Sequence, residues 1–201
     1  MIQIKAILID IGGVLWKPRK IPFSDSWAAR CGVSAEAFDQ IVYNSEWGAQ
    51  ALTGNISGDE MWAIIGERLG LSHAERKECE KEYWAGIWDI EFLDYCRTLK
   101  PRYKFGIVSD ADSNAREIVK IWINEALFDV IVFSSDVGAC KPNPLIFHCA
   151  LEQLGVDASA TVFIDDRRIN VNSAKELGAQ AIHYKNRNQV LAALKEYISH
   201  K

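Results

Sequence analysis

The chain has 201 residues, a formal net charge of −4, 49% apolar residues and 25% charged residues. That length holds one α/β core and a small insert, but not two large domains. The composition is that of an ordinary globular protein, and its mild acidity gives no basic footprint for nucleic acid and no basic amphipathic stretch for a membrane surface.

The opening Met1-Ile2-Gln3-Ile4-Lys5-Ala6 lacks the basic flank, long apolar segment and small-residue cleavage site of a signal peptide, and is expected to lead into a strand. The apolar run over 4–9 reads as a buried strand that ends at Asp10 and runs into a tight turn at Gly12-Gly13. From about 16 to 88 the pattern becomes helical, with no comparable strand-like run. Ser34 has the place of an N-cap, Gly58-Asp59-Glu60-Met61-Trp62 opens a helix that ends near Gly66 or Gly70, and Ser72-His73-Ala74-Glu75 has capping-box spacing. Beyond 90 the chain alternates. Helices are expected over 90–99, 114–126, 144–154, 169–177 and 188–198, and strands over 103–109, 130–134, 161–165 and 180–184. Single helices between strands imply right-handed crossovers and a parallel sheet. The predicted fold is therefore α/β: a doubly wound, Rossmann-like core formed by 1–15 and 90–201, with a helical cap, 16–89, inserted after the first strand.

No apolar run approaches the roughly 20 residues needed to span a bilayer. The five cysteines, Cys31, Cys79, Cys96, Cys140 and Cys149, are odd in number and show no Cys-x-x-Cys pair. They are expected to be reduced thiols in a cytoplasmic protein rather than a disulfide framework or a zinc site.

Ligands of parallel α/β sheets bind at the carboxyl ends of the strands. Four such ends here carry useful chemistry: Asp10, Ser109-Asp110, the Gly138-Ala139-Cys140-Lys141-Pro142 segment, and Asp165-Asp166. If these strands are neighbours, carboxylates, a hydroxyl and an ammonium converge on one cleft. Clustered carboxylates repel one another unless a cation sits among them, and an all-oxygen set with several waters suits Mg²⁺. A metal beside a carboxylate nucleophile brings an anionic phosphate close without prohibitive repulsion. Lys141 and Ser109 can then hold the phosphate oxygens, and the N–H groups of the Gly12-Gly13 turn can join them.

At these residues the chain resembles the haloacid dehalogenase superfamily of hydrolases. Ile9-Asp10-Ile11-Gly12-Gly13-Val14-Leu15 is similar to its first motif, Ser109 to its second, Lys141-Pro142-Asn143-Pro144-Leu145-Ile146-Phe147 to its third, and Phe163-Ile164-Asp165-Asp166 with Asn170 to its fourth. The motifs come in the right order along the whole chain, and their wording is nearest to sugar-1-phosphate phosphatases and to the phosphatase domain fused to some epoxide hydrolases. The resemblance implies a small helical cap and an aspartyl-phosphate on Asp10. It implies metal ligation by Asp10, the Gly12 carbonyl and Asp166, with Asp165 close by. Phosphate binding falls to Ser109, Lys141, Gly13 and the Asp110 position.

Two departures from the family pattern matter. The partner acid usually found two residues after the nucleophile is here Gly12, and loss of a positioned acid costs roughly 10²–10⁴-fold in rate. The expected substrates are therefore small phosphorylated molecules with good leaving groups, such as sugar-1-phosphates or acyl phosphates. Asp110 stands where relatives usually carry asparagine, and Asp110 or Asp112 is a candidate substitute acid. Trp16, and more weakly Trp47, are candidate substrate contacts; the other tryptophans and the four histidines read as packing or surface residues. Rival readings are a 2-haloacid dehalogenase using Asp10 on carbon, a phosphorylatable receiver domain, and a catalytically weak binding or scaffold protein. The tandem Asp165-Asp166 favours phosphatase over the first. The order of lysine and acidic pair disfavours the second. Oligomeric state is not written in the sequence.

Overall fold

The computed structural model describes residues 3–18, 23–122 and 125–198. Strand β1 (Ala6–Ile9) is followed by a short strand β2 (Trp16–Pro18) and by helices α1 (Phe23–Cys31), α2 (Ala35–Val42), α3 (Glu46–Leu52), α4 (Gly58–Arg68) and α5 (His73–Tyr83). After β3 (Gly86–Trp88) come α6 (Ile90–Leu99), β4 (Lys104–Ser109), α7 (Ala115–Trp122), β5 (Val130–Phe133) and α8 (Ser134–Val137). The chain ends with α9 (Pro144–Leu154), β6 (Thr161–Asp165), α10 (Arg168–Glu176), β7 (Gln180–His183) and α11 (Arg187–Ile198).

The main sheet has the order β5-β4-β1-β6-β7, and every neighbouring pair is parallel. This is the α/β doubly wound arrangement expected from the alternation of single helices and strands. Side chains alternate across it. Ile7, Ile9, Phe105 and Ile107 join one apolar cluster, while Ala6, Leu8, Val108 and Phe163 join the cluster on the other face. Both faces are covered, so the central strands read as continuous apolar runs rather than alternating ones. The strand order reverses at β1, between β4 and β6, which places a ligand crevice beyond the carboxyl ends of those strands.

Helices α1 to α5 pack around a separate cluster that includes Trp27, Phe38, Trp62, Ile65 and Cys79, all 0–1% exposed. The Trp27 indole N–H donates to Glu82 Oε2 at 2.7 Å and ties α1 to α5. Ser57 with Glu60 and Ser72 with Glu75 form capping boxes at the starts of α4 and α5, which satisfies amide groups that a helix leaves unpaired.

Two local expectations change. The segment over 16–88 is not purely helical: Trp16–Pro18 and Gly86–Trp88 pair as an antiparallel ribbon where the chain leaves and rejoins the core. The expected helix over 114–126 is shorter; α7 ends at Trp122, a 3₁₀ turn covers Glu125–Leu127, and positions 123–124 lie outside the described residues. Among the described residues no helix is long and apolar enough to cross a membrane.

Candidate active site

A cavity of about 310 Å³ opens at the carboxyl ends of the central strands. Its polar end is built by Asp10, Gly12, Ser109, Asp110, Lys141 and Asp166, with Arg167 and Asn170 behind them. Parallel register explains the convergence. Ile9 sits level with Ile107 and Ile164, so the residues that follow in β1 and β6, Asp10 and Asp165, come level with one another. The Asp10 N–H donates to Ile164 O at 3.0 Å and continues the ladder.

Lys141 is the hub. Only 5% of it is exposed. Its ammonium donates to Asp10 Oδ1 at 2.8 Å, Asp165 Oδ2 at 2.8 Å and Val108 O at 3.1 Å, which accounts for all three of its protons. Asp10 Oδ1 also accepts the Ile11 N–H at 2.7 Å. Asp165 is wholly buried and saturated: Oδ1 accepts from the Arg167 N–H and from Asn170 Nδ2, and Oδ2 accepts from Lys141 and Asn170 Nδ2.

Two buried carboxylates share one ammonium, and the electrostatics follow. Burial pushes the Asp10 carboxyl up to about 6; Lys141 opposes the shift and the Asp165 charge adds to it. Burial and the neighbouring Asp165 likewise raise Asp166. Burial draws the Lys141 ammonium down, yet the charges of Asp10, Asp165 and Asp110 outweigh it and the net direction is up. The carboxyl of Asp110 is raised by burial, and one of its oxygens accepts the Lys141 backbone N–H at 2.8 Å. That anchor fixes one oxygen of the unexpected carboxylate on the Lys141 loop.

The residues fit a hard divalent cation. Asp10, Asp165 and Asp166 each offer a carboxylate oxygen within 4.8 Å of the others. Because both Asp165 oxygens are already engaged, the pair left for a cation is Asp10 and the exposed Asp166, beside the backbone of Gly12. Asn170 Oδ1 is buried at the same end with no partner among the described residues, an acceptor suited to a water held by such an ion. Addition of Mg²⁺ is expected to raise Tm. Its affinity should climb about tenfold per pH unit up to about 6 and level off above, because the ion displaces the Asp10 proton. Calorimetric titration across pH 5–8 checks this, and a flat profile would contradict it.

Two expected contacts are corrected. The Gly13 N–H is not open to phosphate, because it donates to Trp16 O at 2.9 Å. Gly13 acts through shape instead. Its φ is +73°, and a Cβ there would lie 2.2 Å from Asp166 Oδ2. Gly13→Ala should therefore displace Asp166 and cost about 1–2 kcal/mol in backbone strain. Urea unfolding and Mg²⁺ titration of the variant would read both effects. Trp47 is also absent from the cavity lining: its indole N–H donates to Ile41 O at 3.0 Å, and it packs on the α1–α5 cluster.

Trp16 does line the cavity, together with residues that sequence reasoning did not single out: Tyr83 and Trp84 at the end of α5, Trp88 of β3, and Ala115, Ile118 and Val119 along α7. A weak hint was the apolar spacing at 115, 118 and 119, which marks one helix face.

A doubly wound sheet with an acidic, lysine-bearing cleft at its switch point places the chain among the α/β proteins that bind ligands beyond their strand ends. The match of residues 4–178 to the haloacid dehalogenase-like hydrolases makes the chain a member of that family. It is 28% identical to the sesquiterpene phosphatase astK of Aspergillus oryzae over 187 residues, 89% of each chain. It is 28% identical to the D-ribitol-5-phosphate phosphatase of Bacteroides thetaiotaomicron over 147 residues, 66% of this chain and 68% of that one. The drimenol cyclase drtB of Aspergillus calidoustus is 24% identical over 202 residues, 94% of this chain; the chain spans only 35% of that protein's length. A solved magnesium complex of a haloacid dehalogenase family enzyme from B. thetaiotaomicron superposes with a TM-score of 0.75 at 26% identity, covering 90% of this chain and 93% of that one.

Proposed function

We propose that the chain is a Mg²⁺-dependent phosphatase that hydrolyses a small-molecule phosphate monoester through an aspartyl-phosphate on Asp10. The observation that carries this reading is Asp10 itself. It is buried at the floor of the cavity, with one oxygen held by the Ile11 N–H and Lys141, beside an oxygen-only partner in Asp166. The phosphatases among the relatives and the magnesium complex of the structural neighbour support the same class.

Asp10 Oδ2 attacks phosphorus, the P–O bond to the organic group breaks, and the organic group departs as its alkoxide, which takes a proton from solvent. Water then attacks the acyl phosphate, which frees inorganic phosphate and regenerates the carboxylate. Lys141 keeps Asp10 oriented and adds positive charge at the phosphoryl oxygens, to which the Ser109 hydroxyl donates. Mg²⁺, held by Asp10, Asp166 and the Gly12 carbonyl, would neutralise the phosphate and the two carboxylates at once. Gly12 supplies no acid for the departing alkoxide, so among the alcohols that the cavity accepts those of low pKa are favoured. The inserted segment 16–89 acts as a cap, since Tyr83 and Trp84 reach the same cavity as Asp10.

The test is a panel of phosphate monoesters and acyl phosphates with Mg²⁺, run beside Asp10→Asn. Release of phosphate by the wild type, reduced at least about 10³-fold in the variant, is expected. Equal rates for the two proteins, or no release from any compound, would favour a binding role instead.

A further inference from the structure

The cavity has two ends of opposite chemistry. The polar groups gather where Asp10, Lys141 and Asp166 lie. The rest of the lining is apolar: aromatic from the ribbon and the end of α5, with Trp16, Trp84 and Trp88, and aliphatic from α7, with Ala115, Ile118 and Val119. The aromatic side is braced ring against ring: Trp16 and Trp84 lie 6.1 Å apart at 54°, and Tyr83 meets Trp84 edge-on at 5.2 Å and 86°. Polar atoms on this wall are few. The Trp16 indole nitrogen faces the ribbon, because a Cβ on Gly86 would lie 1.8 Å from it. The remaining polar atoms of these aromatic side chains are the Tyr83 hydroxyl, the Trp88 N–H and the buried Trp84 N–H, the last with no partner among the described residues.

From this wall we propose that the organic group of the substrate is apolar: a monophosphate of a small aromatic or hydrocarbon alcohol, bound between the aromatic wall and the α7 face. The inference rests on the phosphatase reading above, and adds the class of alcohol. A sugar would strip water from several hydroxyls at once and find few polar groups in return, whereas a hydrocarbon gains by leaving water and loses nothing. The cavity, about 310 Å³, lies at the small end of ligand pockets, which run from about 300 to 1,000 Å³. One phosphate and a compact apolar group suit that size.

The experiment uses the whole chain with Mg²⁺ and a series of phenyl phosphates carrying no, methyl, ethyl or propyl para substituents. The leaving phenols are nearly equal in acidity along the alkyl members, so only burial changes. The expected result is a rise in kcat/KM of about fourfold per methylene until the cavity fills, with glucose-1-phosphate and glycerol phosphate at least about tenfold below the best member. Trp84→Gln should flatten the series, and Trp84→Phe should keep its slope. The matching arylphosphonates, which cannot be hydrolysed, are titrated in parallel by tryptophan fluorescence. Turnover without a chain-length slope, or with the sugar phosphates preferred, overturns the apolar class and leaves the phosphatase reading standing. A chain-length slope in phosphonate affinity with no turnover of any ester does the reverse.

Discussion

Gly12→Asp is expected to raise kcat on a simple alkyl phosphate such as butyl phosphate by about 10²–10⁴-fold, the range that a positioned general acid contributes. The site accepts the change without rebuilding. A Cβ at position 12 meets nothing within 4 Å, the backbone there is outside the left-handed region, and Gly12 lines the cavity two residues from Asp10. An aspartate at this position would enter a neighbourhood where burial already raises Asp10 and Asp166, so its own carboxyl should hold a proton near neutral pH and can pass it to the departing alkoxide. The gain should be largest for poor leaving groups and small for aryl or acyl phosphates, so the dependence of rate on leaving-group pKa should become shallower. Gly12→Asn, which fills the same space without the proton, is the control. Equal rates for Gly12→Asp and Gly12→Asn on butyl phosphate would mean that another group already supplies the proton, and Asp110 would be the first to examine.

The sequence carried the core and the polar end of the site because both are written in local patterns. A buried parallel strand is a short apolar run, and its carboxyl end is the next residue; Asp10, Ser109 and Asp165 could be placed from that alone. The ribbon of Trp16–Pro18 with Gly86–Trp88 could not. Three residues are too few to show alternation, and the partners lie far apart in the chain. The same distance hid the aromatic wall, since Tyr83 and Trp84 end a charged helix and reach the cavity only when that ribbon brings them back to the first motif. Gly13 was misread for another reason. A glycine in a turn announces freedom of φ, but whether its N–H faces a ligand or a carbonyl depends on the next turn, here the Trp16 carbonyl. Asp165 and Asp166 are adjacent and chemically alike, yet one saturates Lys141 and Asn170 while the other stays exposed. Strand alternation separates them: the first still belongs to β6 and the second has left it.

Lys141→Met is expected to cost about 3–5 kcal/mol of stability at pH 8, because it leaves two buried carboxylates facing each other without their shared cation. The pH dependence gives the mechanism a signature. In the wild type the Asp10 carboxyl already sits at about 6 against an ordinary 3.8, so the folded state holds a proton that the unfolded chain has lost. That contribution to stability is complete below pH 3.8 and disappears as pH rises through about 6. Without Lys141 the opposing charge is gone and the folded-state value must climb further, so the variant should lose stability over a window that extends higher in pH. Urea unfolding at pH 5 and pH 8 should therefore show a small gap between the two proteins at the lower pH and a large one at the higher. Adding Asp165→Asn to Lys141→Met removes one of the two facing charges and should recover part of the loss at pH 8, although the oxygen that accepted from Arg167 and Asn170 must still find its partners. A penalty independent of pH, with no recovery in the double variant, would assign the cost to packing around the methionine rather than to the uncompensated carboxylates. Mg²⁺ offers a second way to tell these apart: a cation between Asp10 and Asp166 restores part of the missing positive charge, so it should stabilise the variant more than the wild type if the electrostatic account holds.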